Sequence, residues 1–84
     1  MGRRRTLAQD LTVQYGMLAR LLLQEALEAA HISKLCNDGL VDAADREPLL
    51  DARQVIARTR RNIDQVERAI DLLVEAYVGQ NLTR

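Results

Sequence analysis

One histidine and one cysteine stand in this chain of 84 residues, and between them they bound its chemistry. His31 is followed three positions later by Lys34. On a helix this sets an imidazole near an ammonium group, a pair able to accept a phosphoryl group and offset its charge. The competing reading is a surface histidine near a helix end, where a partly positive ring suits the helix dipole. Glu25, Glu28 and His31 follow one another at steps of three. Glu-x-x-His is a spacing that can bring two metal ligands onto one inward face. Turned at about 100° per residue, however, His31 falls roughly 120° from Glu25, so the three do not converge. Glu67 and Glu75 are not spaced to complete such a site, and no metal is expected. Glu25 lies close to the apolar seam and is expected at its edge, paired with an arginine of a neighbouring helix. Cys36 alone can form no intramolecular disulfide and, with a single histidine, no structural zinc site. No Ser-His-Asp, Cys-His or phosphate-loop arrangement exists, so neither catalysis nor a cofactor is expected.

Two segments resemble known helical families, and a third suits a role that helical hairpins perform. The His31-x-x-Lys34 spacing is similar to that of histidine phosphotransfer domains, which implies a phosphoryl-accepting His31 on a bundle; Leu35 stands where those domains usually carry glycine. Arg53, Arg58, Arg60 and Arg61, with Asn62 and Arg68 beyond, form a basic run able to contact phosphates across a dimer, and RNA-binding helical hairpins of the Rop type show that such a bundle can hold nucleic acid. Asp64, Glu67, Asp71 and Glu75 follow at once, and pairs such as Asp64 with Arg68 also suit a solvated face laced with ion pairs. Residues 42–47 and the long helix after them, with Lys34 upstream, resemble the acidic Arg-Glu segment of helical chorismate mutases. Those enzymes need a third helix and a second core arginine, and Leu23 occupies that position.

The elements that position these residues are two helices. Thr6, with Gln9 three residues on, predicts a helix start, and Gly39 after Asn37-Asp38 predicts a left-handed stop, giving a first helix over about 6–37. On a wheel centred at Leu18, one face collects Leu7, Leu11, Tyr15, Leu18, Leu22, Ala26, Ala29, Ile32 and Cys36. Ala8, Ala19, Leu23 and Ala30 flank it on one side and Met17, Leu21 and Leu35 on the other. This arc is wider than one partner helix needs. Pro48 suits a first turn and Gly79 a stop, giving a second helix over about 48–78. Its seam, Leu49, Ala52, Ile56, Thr59, Ile63, Val66, Ile70, Leu73 and Tyr77, alternates threes and fours without a break, a heptad repeat with Thr59 as its one polar knob. The connection over 38–47 is short and acidic, with Asp42 and Asp45 spaced to start a single turn. A link of that length joins antiparallel neighbours. The fold class is therefore all-α: one antiparallel two-helix hairpin over 1–84, coiled-coil-like, expected to pair into a homodimeric four-helix bundle.

Composition supports that class. The chain is 48% hydrophobic but only 2% aromatic, a mixture typical of bundles. Twelve cations balance twelve acidic residues, which disfavours a dedicated nucleic-acid binder. The basic start Arg3-Arg4-Arg5 leads into a mixed helix and not an apolar leader, and Leu21-Leu22-Leu23 is too short to span a bilayer, so the expected location is cytoplasmic. The function expected is a non-enzymatic interaction module, a small regulator, adaptor or inhibitor acting on a larger protein, of a kind common in bacteria and phages. Met17, Arg20, Leu21 and Leu35 on helix 1, or Leu72, Tyr77 and Val78 on helix 2, are the expected contacts. Leu11, Tyr15, Leu18, Leu22 and Ala29 with Ile56, Ile63, Val66, Ile70 and Leu73 are the expected hairpin or dimer core.

Overall fold

The computed structural model describes residues 6–38 and 46–82, with side chains through Gln80. Two α-helices make up the fold: α1, Leu7–Asn37, and α2, Arg46–Leu82. The first starts where a capping box dictates. The Thr6 hydroxyl accepts from the Gln9 backbone N–H at 3.1 Å, and the Gln9 side chain accepts from the Thr6 N–H at 2.8 Å, meeting two of the donors a helix start leaves orphaned. At the other end, the Asp38 N–H reaches back to the Lys34 carbonyl at 3.0 Å. Gly39, Asp42 and Asp45, expected to form the stop and the acidic turn, lie outside the described residues.

The second helix begins at Arg46, two residues before the expected start, and continues through Gly79 to Leu82 instead of ending there. Pro48 still sits in the first turn, where its missing N–H has no intrahelical acceptor to lose. Gly79 passes within the helix because a glycine permits a stop without enforcing one; the helical alternative costs only about 1 kcal/mol relative to alanine.

The helices pack antiparallel: Glu28 and His31 share a groove with Pro48 and Ala52, whereas Met17 and Leu21 share one with Asn62 and Val66, and Gln24 is bonded to Thr59 and Glu25 to Arg60. Ile56, Ile63, Val66 and Ile70 are buried, and Leu49, Ala52 and Leu73 are half-buried. This is the heptad seam of α2 as its spacing predicts, except that Tyr77 stays largely exposed. Helix α1 departs from the wheel. Its half-buried residues include Leu7, Leu11, Gln14, Leu18, Leu21, Glu25, Glu28, Ile32 and Leu35. These also alternate fours and threes. Tyr15, Leu22, Ala26, Ala29 and Cys36, placed on the same face by a turn of 100° per residue, are exposed. The seam of α1 is centred between the rows of Leu18 and Leu21 and not on Leu18, because the rows that alternate threes and fours against α2 are the ones packed; along the helix the 3.6-residue wheel drifts further, by about 20° per heptad. Leu21 and Leu35, expected on an outer flank, face α2.

With Gln24 beside Thr59 as the register mark, the two heptads interleave as layers: Leu11 level with Leu73, Leu18 with Val66, Leu21 with Ile63, Glu25 with Thr59, Glu28 with Ile56, and Leu35 with Leu49. The principal extents of the hairpin are 64, 29 and 15 Å. It is one layer of helices thick, where stable domains generally stack two.

Candidate protein-interaction surface

The middle of the seam is polar. Thr59 is 2% exposed; its hydroxyl donates to the Val55 carbonyl at 3.3 Å and accepts from the Gln24 amide at 3.4 Å. The same amide donates to Glu28 Oε2 at 3.2 Å, while Glu28 Oε1 is shut off from solvent and has no hydrogen-bond partner. At the same level, on the edge of the seam, Arg60 Nε meets Glu25 Oε2 at 3.3 Å. The sequence-based expectation that Glu25 sits at the seam edge opposite an arginine thus matches the geometry, and Thr59 is the buried polar residue of α2. Hydropathy does not place Gln14 and Glu28 in the seam; the signal that finds them is the unbroken heptad of α1 laid against that of α2. Gln24 is exposed beside the seam and reaches Thr59 from its edge.

His31 is exposed, as is Lys34, and His31 borders a groove of about 510 Å³ between the helices with Leu27, Glu28, Asp51 and Val55. Glu28 thus faces both the seam and this groove, whereas Glu25 is not among the groove's lining residues. Among the described residues no group of three or more histidine, cysteine or acidic side chains is arranged to hold a metal ion. Arg53, Arg58, Arg61 and Arg68 are all exposed on α2, interspersed with exposed Asp64, Glu67 and Asp71.

The conspicuous feature is apolar surface on the outside. Among the described residues four hydrophobic side chains are buried, against twelve large ones that are exposed, so much apolar surface is left in contact with water. Ten of the twelve fall in two regions; Leu50 and Val55 stand apart in the N-terminal half of α2. On α1 the exposed side is formed by Val13, Tyr15, Met17, Leu22, Leu23 and Leu27, with Leu22 47% and Leu23 63% accessible. On α2 they cluster in the C-terminal half as Leu72, Val74, Tyr77 and Val78, with Leu72 at 67%. Exposed apolar surface of this extent makes both regions candidate interaction sites. Of the residues expected to contact a partner, Met17, Arg20, Leu72, Tyr77 and Val78 are exposed, and Leu21 and Leu35 are half-buried against α2. Met17, Arg20 and Leu21 do border a shallow second groove with Asn62, Gln65 and Val66.

Gly16 belongs to the exposed side of α1. A Cβ built there would meet nothing within 4 Å. Glycine inside a helix is unfavourable by about 1 kcal/mol relative to alanine, and no contact within the hairpin requires it.

Among the described residues no helix is long and apolar enough to cross a membrane. No protein-family model matches the chain, no curated protein matches it in sequence, and no solved structure matches it.

Proposed function

We propose that this chain is a non-enzymatic protein-interaction module: a helical hairpin that pairs with a second copy into a four-helix assembly and, through what remains exposed, binds and regulates a larger protein. The observation that carries this reading is the inverted distribution of apolar surface, with four buried hydrophobic residues facing twelve large exposed ones. A single seam between two helices supplies too little burial to offset the ordering of a chain of this size. Covering the outward apolar face removes that deficit, and a symmetric dimer does so without any further sequence.

We place the partner protein on the C-terminal half of α2, where Val74, Tyr77 and Val78 share one exposed side, with Leu72 exposed on another side of the same helix. Tyrosine and large aliphatic side chains on a rigid helix are the usual anchors of such contacts. The experiment is light scattering over a concentration series, followed by affinity capture of partners with the wild type and with Val78→Asp. The expected result is a mass twice that of the 9.5 kDa chain, and a captured protein that Val78→Asp loses while mass and helicity stay unchanged. A single-chain mass that captures nothing refutes the proposal.

A further inference from the structure

We infer that the second copy packs on the outward face of α1, with the two α1 helices antiparallel and a two-fold axis passing between the levels of Ala19 and Leu22; this rests on the homodimer reading above. The distribution of charge on α1 carries the argument. Its formally charged residues, Asp10, Arg20, Glu25, Glu28 and Lys34, all lie in the rows facing α2 or on the flank of Arg20. The rows left over run the length of the helix without one charge. Their centre is Thr12, Ala19, Ala26 and Ser33, bordered by Tyr15 and Leu22 on one side and by Gly16 and Leu23 on the other, all exposed. Between its outer rows this arc spans roughly 100° on a 3.5-residue wheel, the width of a core-facing stripe, and its centre lies about 130° from the hairpin seam.

Electrostatics select the occupant. A charge buried against this arc would have no partner there, and burying an unpaired charge is prohibitive. The covering surface must itself be free of charge over the 31 residues of α1, about 45 Å at 1.5 Å per residue. The outward face of α2 does not qualify, because α2 carries twelve charged side chains, none of them in its buried seam. The α1 arc of a second copy does. Its steric relief sets the direction. Parallel self-pairing would oppose Leu22 to Leu22 and Ala19 to Ala19, large on large and small on small. Antiparallel pairing sets Ala19 against the partner's Leu22 and Ala26 against the partner's Tyr15, and brings the partner's Leu23 within about 3 Å of the level of Gly16, so that large residues meet small ones. It also accounts for Gly16, whose open surroundings within the hairpin leave room for a close approach from outside.

The test is directed cross-linking. Within one chain, residues 8 and 33 lie about 37 Å apart along α1 at 1.5 Å per residue; the proposed pairing brings Ala8 beside the partner's Ser33. Cys36→Ser with Ala8→Cys and Ser33→Cys is oxidised mildly and run without reductant, beside Cys36→Ser with Ser33→Cys alone. Most of the first should migrate as a linked dimer and the second should remain unlinked. Ala26→Glu, at an exposed position outside the hairpin seam, should weaken self-association at least 100-fold in sedimentation equilibrium. A wild type of single-chain mass overturns both the dimer reading and this inference. A doubled mass in which the first variant stays unlinked, or the second links, leaves the dimer standing and overturns this seam.

Discussion

Replacing Glu28 by leucine should stabilise the protein. Glu28 occupies a seam position of α1 level with Ile56, and its Oε1 has neither solvent nor a partner. An acceptor left unmet away from water costs about 1–3 kcal/mol. Leucine removes it and adds a side chain that packs at a heptad position already facing a buried isoleucine. Against this stands the bond from Gln24 to Oε2 at 3.2 Å, worth about 0.5–1.5 kcal/mol, whose amide retains its second acceptor on Thr59. The balance is a gain of roughly 1–2 kcal/mol, and at about 4–8 °C per kcal/mol for a domain of this size the melting temperature should rise by at least about 4 °C. The assay is thermal unfolding followed by circular dichroism at matched protein concentrations, since self-association shifts the midpoint by mass action. Glu28→Gln serves as the control that removes charge while keeping the acceptor. A midpoint lower than that of the wild type would refute the argument, because it would mean that the carboxylate is satisfied in solution and supports the seam.

Ile63→Ala removes one of only four buried hydrophobic side chains; it should cost about 2–5 kcal/mol and show as a large loss of helicity at 37 °C. Thr6→Ala deletes half of the capping box, and a loss near 1 kcal/mol at that terminus should appear as faster amide exchange over residues 7–10 with little change in the core. Arg60→Ala breaks an ion pair whose arginine is mostly exposed, so denaturant midpoints should shift by well under about 1 kcal/mol. Exposed Arg53, Arg58, Arg61 and Arg68 share their face with carboxylates, and fluorescence anisotropy at low salt should detect no RNA or DNA binding; a steep salt-dependent affinity would restore the nucleic-acid reading.

The hairpin and the whole seam of α2 were legible in the sequence because two signals agree there. The apolar residues repeat in heptads from Leu49 to Leu73, and all twelve charges of α2 fall outside those positions. On α1 the two signals separate. The most apolar stripe includes the row Tyr15, Leu22 and Ala29, whereas the rows matching α2 pass through Gln14, Glu25 and Glu28, one step round the helix. Hydropathy alone selects the first, and packing selects the second, since a helix of 31 residues laid along a heptad partner must present the rows that meet that partner's seam. Of the candidate surface, Leu72 and Val78 could be read from their position off the heptad; Tyr77 stands on the heptad, which predicts it in the seam, and its exposure could not be read that way. Leu21 and Leu35 could not, because one row of error on the wheel exchanges an outer flank for the seam.

The polar layer at Thr59 divides the hairpin unequally. On the side of the free ends lie Ile63, Val66 and Ile70, all buried, and half-buried Leu73; on the side of the connection only Ile56 is buried, and Ala52 and Leu49 are half-buried. A helical hairpin usually loosens at its open end, where no covalent link holds the strands together. Here the stronger grip is beyond the midpoint, so amides near the connection should exchange with solvent sooner than those around Ile63 and Ile70, in two cooperative units separated by the hydroxyl, amide and carboxylate cluster. On folding, closure from the connection has to cross this cluster before it meets its most favourable contacts, which makes the polar layer a kinetic boundary as well as a mark of register.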